Sequence, residues 1–170
     1  MKKSSFIVAI LALAIAITSC NKSEIIDPPV QQGSGVAATD WMAVQLFDSY
    51  NDDGSFTLEG DHNLDGITAA DLTGHQVLAY VRMENDVETS YKLLPSAITI
   101  NGRDLELIHK IDVYSFFITV RNPDFSDTQI DASLFEKTRF RVVFVPLEDY
   151  RNMNIDWSDY EAVAAALDLR

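Results

Sequence analysis

Four oxygen-bearing side chains, Asp61, Asn63, Asp65 and Asp71, lie on one short stretch with Gly66 among them. Carboxylate and amide oxygens at alternate positions, then a glycine that permits a sharp turn, form the pattern with which a loop surrounds a hard cation such as Ca²⁺. The same residues also suit an Asp/Asn/Gly-rich turn before a strand, with Thr68 capping one helical turn. Asn51-Asp52-Asp53-Gly54 is a similar acidic turn. Glu84, Asp86 and Glu88 form a third acidic group. Paired carboxylates can hydrolyse a glycoside when one is desolvated and the two are correctly spaced, but a turn keeps them in water as ordinary acids.

The other residue types narrow the chemistry further. His62, His75 and His109 show no zinc-ligand spacing. His109 shares a strand parity with Leu105, Leu107 and Ile111, which suits a core or rim residue. There is no nucleophile-elbow serine and no phosphate-cradling glycine loop. Trp157, with Tyr150 and Tyr160 nearby, can stack a sugar or fasten a terminal helix to a sheet. No catalytic set emerges, so the expectation is a protein that is not an enzyme.

The elements that position these residues begin after a leader. Lys2 and Lys3 precede an unbroken apolar run over residues 6–17, which suits an export signal and is too short for a membrane span of about 20 residues. Ile17-Thr18-Ser19-Cys20 then resembles the lipobox of bacterial lipoproteins. That resemblance implies cleavage before Cys20 and acylation of its thiol and its new amino group. Each buried methylene contributes about 0.8 kcal/mol to anchoring, so two or more chains hold firmly where one does not. Cys20 is the only cysteine, which excludes an intrachain disulfide and a cysteine nucleophile in the mature domain.

The expected organisation is a signal peptide over 1–19, a lipid-anchored flexible tether over 20–40, and a β-rich domain over 41–170. Asp27-Pro28-Pro29 and Gln31-Gln32-Gly33-Ser34-Gly35 mark the tether. The net charge is −13, and loss of Lys2 and Lys3 takes it to −15. Such a chain is a poor partner for nucleic acid or anionic headgroups, and its acidity suits solubility or affinity for cations.

Alternation marks the strands. Residues 77–83 are apolar on both parities, as are 140–145 except for Arg141. Residues 105–111 and 114–121 alternate, and Asn101-Gly102 is a hairpin signal between 97–100 and 105–111. Residues 41–47 read as a first strand, and their pattern also suits a helix. Ser158 and Glu161 suggest a capping box on a C-terminal helix. Together these predict a mainly β, antiparallel sandwich-like domain with a short C-terminal helix.

The Asp61–Asp71 run resembles the start of an EF-hand or dockerin calcium loop. It departs from that family in having Ile67 and Asp71 one position early. The implied Ca²⁺ ligands are Asp61, Asn63, Asp65 and Asp71. The runs 77–81, 91–95 and 140–146, with the ending 159–163, resemble small lipoproteins of Bacteroidota, a group with no established activity. That resemblance implies an outer-membrane or surface setting. Lys22-Ser23-Glu24 partly resembles the export tag of surface lipoproteins. The functional expectation is a non-enzymatic envelope protein that binds or scaffolds a protein or glycan partner. The alternatives are a calcium-stabilised module and, least favoured, a carboxylate hydrolase.

Overall fold

The computed structural model describes residues 31–33, 35–84 and 89–169. In chain order its elements are β1 (Gln31–Gly33), β2 (Val36–Ala38), β3 (Phe47–Tyr50), β4 (Phe56–Asn63), α1 (Ala69–Gly74), β5 (His75–Glu84), β6 (Thr89–Leu93), β7 (Ser96–Ile100), β8 (Arg103–Ile111), β9 (Ser115–Arg121), β10 (Arg139–Pro146), α2 (Leu147–Asn152) and α3 (Tyr160–Ala166). One sheet runs β1-β2-β10-β5-β6 and the other β3-β4-β9-β8-β7. All the strand pairings are antiparallel. This is the expected mainly β sandwich with a short C-terminal helix.

The main core lies between the sheets. Ala79, Val81, Phe140, Val142 and Phe144 from the first sheet meet Phe56, Leu58, Leu105, Leu107, Phe116, Ile118 and Val120 from the second. Strands of the second sheet alternate because only one of their faces is covered. Strands β5 and β10 are apolar on both parities because both of their faces are covered. Their other side chains, Leu78, Tyr80, Val143 and Val145, pack with Tyr160 and Val163 of α3 in a second cluster. Tyr80 donates its hydroxyl to the Trp157 carbonyl at 2.8 Å, and its burial pushes the phenol well above its ordinary pKa. Trp157 and Tyr150 pack against this cluster, with ring centroids 4.6 Å apart. They help fasten the helix to the sheet, one of the two roles their types allow.

Arg141 explains the one polar break in β10. It is 1 % exposed; its Nε donates to the Thr39 carbonyl at 2.8 Å and its Nη1 to the Tyr160 hydroxyl at 2.7 Å. Its guanidinium lies 6.0 Å from the Trp41 ring centroid. The arginine thus ties three segments together beneath α3.

Three boundaries differ from the sequence reading. Residues 31–33 and 36–38 fall within the stretch expected as tether, yet they pair in the first sheet, and Val36 and Ala38 are buried. Their apolar side chains find a place beside Val143 that local composition does not reveal. Residues 41–46 are not a strand, since only Met42 bridges, to Phe140. This segment passes close to the second sheet, and a Cβ on Gly60 would run into the Gln45 carbonyl and the Val44 side chain. The helix cap is Asp159, whose Oδ1 accepts from the amides of Glu161 and Ala162, while Ser158 bonds Asp156 in the preceding turn. The Asn101-Gly102 hairpin is as expected: both residues have positive φ, at 51° and 76°, and they join β7 to β8.

Candidate binding face

The residues expected to hold Ca²⁺ are not brought together. Asp61 and Asn63 belong to the paired strand β4, opposite Phe117 and Ser115, where an extended backbone sets them about 7 Å apart along one face. Leu64 and Ile67 are buried on either side of the Asp65-Gly66 turn, where Gly66 has φ 84°. Asn63 Nδ2 donates to Asp65 Oδ1 at 2.8 Å. The Asp71 carboxylate accepts from the Thr68 amide at 2.8 Å and hydroxyl at 2.6 Å, closing a capping box on α1. The Thr68 hydroxyl and amide bonds hold its pKa below the usual carboxylate range. This is the turn-and-cap arrangement that the sequence also allowed. Among the described residues no group of three or more histidine, cysteine or acidic side chains is placed to hold a metal.

The remaining candidates are structural or lie elsewhere. Cys20, Asp86 and Glu88 fall outside the described residues. Glu84 pairs with Arg82 at 2.8 Å. Asn51-Asp52-Asp53-Gly54 is a turn in which Asp53 accepts from Ser55, and these bonds lower its pKa. His75 contacts the Asp71 and Gly35 carbonyls at 3.0 and 3.3 Å. His109 lies against Phe116 on the core side of β8; its Nδ1 is buried without a hydrogen-bond partner, and burial lowers its pKa. No helix among the described residues is long and apolar enough to cross a membrane.

What the fold does assemble is a face. With α3 packed on the first sheet, the outer surface of the second sheet stays open. Across its middle run Phe47, Glu59, Thr119 and Ile108, one from each of four neighbouring strands. The next rung is Asp61, Phe117 and Lys110, and the rung on the other side is Ser49, Thr57, Arg121 and Glu106. Phe47, Phe117 and Phe125 are exposed at 58 %, 36 % and 53 %. Large apolar rings grouped on a face built for water mark interaction surfaces more often than single exposed residues do.

Arg121 organises the face. Its Nε and Nη2 both lie 2.8 Å from Glu106 Oε2, and its guanidinium lies 4.3 Å from the Phe125 ring centroid. Arg121 lines two shallow depressions, one of about 450 Å³ with Asn51, Asp52, Glu59 and Phe125, the other of about 400 Å³ with Pro95, Ala97, Glu106 and Ile108. Phe125 holds its place at φ 55°, a left-handed conformation that costs a non-glycine residue on the order of 1 kcal/mol or more. The buried Asn122 maintains that turn: its carbonyl accepts the Phe125 amide at 3.1 Å, and its Nδ2 donates to the Thr128 carbonyl at 2.8 Å. A strained, exposed ring stacked on an ion pair is an arrangement that the surroundings actively maintain.

The sequence reading did not single out this face. A signal was present, because Phe117 and Ile108 sit on the polar parity of their strands, where water-facing residues belong. Phe125 offered none, since its position depends on a turn conformation. Comparison with models of known families, with curated proteins and with solved structures finds no match to this chain.

Proposed function

We propose that the protein is a lipid-anchored component of the bacterial cell envelope that binds a partner, protein or glycan, through the outer face of its second sheet, without catalysing a reaction. The anchoring rests on the order of the basic start, apolar run, small residues and Cys20. The binding reading rests on one observation: the outer face of the first sheet is covered by α3, while that of the second is open and carries exposed Phe47 and Phe117, with Phe125 on the Arg121–Glu106 pair beside them. Shallow depressions lined by mixed side chains suit recognition better than the enclosed, desolvated carboxylates that hydrolysis requires.

Site-specific crosslinking in intact envelopes tests this. A photo-reactive label on Thr119→Cys, at the centre of the face, is expected to capture a discrete partner, and the same label on Glu161→Cys, on α3, is not. Crosslinks only from position 161 would refute the face. Cys20→Ser is expected to release the chain from membranes, and its continued sedimentation with them would refute the anchor.

A further inference from the structure

The charges on the open face point to the chemistry of its partner. Arg121 is matched by Glu106, and Lys110 lies over the Phe117 ring with its Nζ 5.8 Å from the centroid. The acids of β4 have no such match. The Asp61 carboxylate takes part in no hydrogen bond or ion pair among the described residues, and that of Glu59 accepts only a long 3.4 Å contact from Thr57. Each is flanked by an exposed phenyl ring: Phe47 lies directly opposite Glu59, and Phe117 directly opposite Asp61. Asp52 and Asp53 add further negative charge beside Phe125. Lys110 keeps its charge on this face, yet Glu59, Asp61, Glu106, Asp52 and Asp53 outnumber it and Arg121, so the face is acidic on balance and interleaved with aromatic rings.

That pairing matches lysine and arginine side chains. Their methylene stems lie on apolar rings, their cations are attracted to ring faces, and their donors reach carboxylates. The spacing is informative as well. Glu59 and Asp61 are about 7 Å apart, which is also the distance between alternate side chains of an extended peptide. Building on the binding role proposed above, we infer that the face receives an extended, basic segment of a partner protein, with lysine or arginine at alternate positions along β4. A phosphate-bearing or otherwise anionic ligand would meet like charge there.

The test uses the full lipidated chain in non-ionic detergent, with short fluorescent peptides of alternating lysine and threonine, glutamate and threonine, or asparagine and threonine, read by anisotropy. The lysine peptide is expected to bind, more weakly as salt rises, and the other two are not. Asp61→Asn with Glu59→Gln is expected to weaken binding about tenfold, as the loss of two partly exposed ion pairs implies. Glu161→Gln with Asp168→Asn removes the same charge from the α3 side and is expected to change binding by less than about twofold. Both double variants involve exposed side chains, and a thermal melt verifies that they fold. Equal losses in the two variants would reduce the binding to overall acidity and overturn the inference, as would equal binding of the asparagine peptide or of a neutral oligosaccharide. The two readings fail separately: continued crosslinking from position 119 with no preference for the basic peptide retires the basic partner alone, and loss of both retires the face.

Discussion

Removing the hydroxyl of Tyr160 tests the latch that leaves only one sheet face open. Arg141 is 1 % exposed, and no carboxylate among the described residues pairs with it. Two hydrogen bonds serve it, to Thr39 and Tyr160, while its buried Nη2 has no hydrogen-bond partner. Tyr160→Phe keeps the ring contacts with Trp41, Tyr80 and Tyr91, at 5.0, 5.1 and 4.8 Å between centroids, and removes one acceptor from a buried cation. A hydrogen bond to a charged group contributes about 1.5–3 kcal/mol. With one N–H already unpaired, the loss is expected near the top of that range, about 2–3 kcal/mol, or roughly 6–10 °C in midpoint for a domain of this size. Reversible urea denaturation of residues 21–170 gives the free energy directly. In an Arg141→Met background the buried charge is gone, and the same tyrosine change is expected to cost less than about 1 kcal/mol, the difference being the coupling between the two residues. A small loss in the wild-type background, or equal losses in both, would refute the claim that this hydroxyl holds the guanidinium.

Three further expectations follow from the same geometry. Gly60→Ala places a methyl group against the Gln45 carbonyl and Val44, so it is expected to destabilise the domain by about 1–3 kcal/mol or more, read as a lower urea midpoint; an unchanged midpoint would mean that the 41–46 segment is not held there. Burial lowers the pKa of His109 below its unfolded value of about 6.5, so its stabilising effect is complete above that pH and is lost as pH falls from there toward the folded pKa; melts between pH 8 and 5 are expected to show this loss, and His109→Leu to lack it. Millimolar Ca²⁺ is expected to leave the melting midpoint where EDTA puts it, and Asp71→Asn to lower that midpoint equally in both, because the Asp71 carboxylate completes the capping box begun by Thr68; a Ca²⁺-specific rise lost in Asp65→Ala would instead establish a metal loop.

The local pattern of residues determined most of the strands, the Asn101-Gly102 hairpin, the helical turn begun by Thr68 and the short helix near the C-terminus. Each depends on interactions between residues close in the chain: alternation across a pleat, a two-residue turn needing positive φ, or a side chain reaching the next turn's amides. The expectation of a leader and an anchored Cys20 rests on the same kind of signal, an order of residues along the chain. What the tertiary structure decided is which faces are covered. Residues 77–83 and 140–145 are apolar on both sides, but only the placement of α3 explains why. Asp61 and Asn63 have the alternation of a metal loop and the alternation of a strand at once, and in the fold they pair with Phe117 and Ser115 of β9 as a strand. Phe47, Glu59, Phe117, Arg121 and Phe125 come from β3, β4, β9 and the turn that follows it, and they share one face only because the chain leaves for the other sheet after β4 and returns. Long-range packing chooses among the conformations that short-range chemistry allows, and it alone determines which side chains are left facing water.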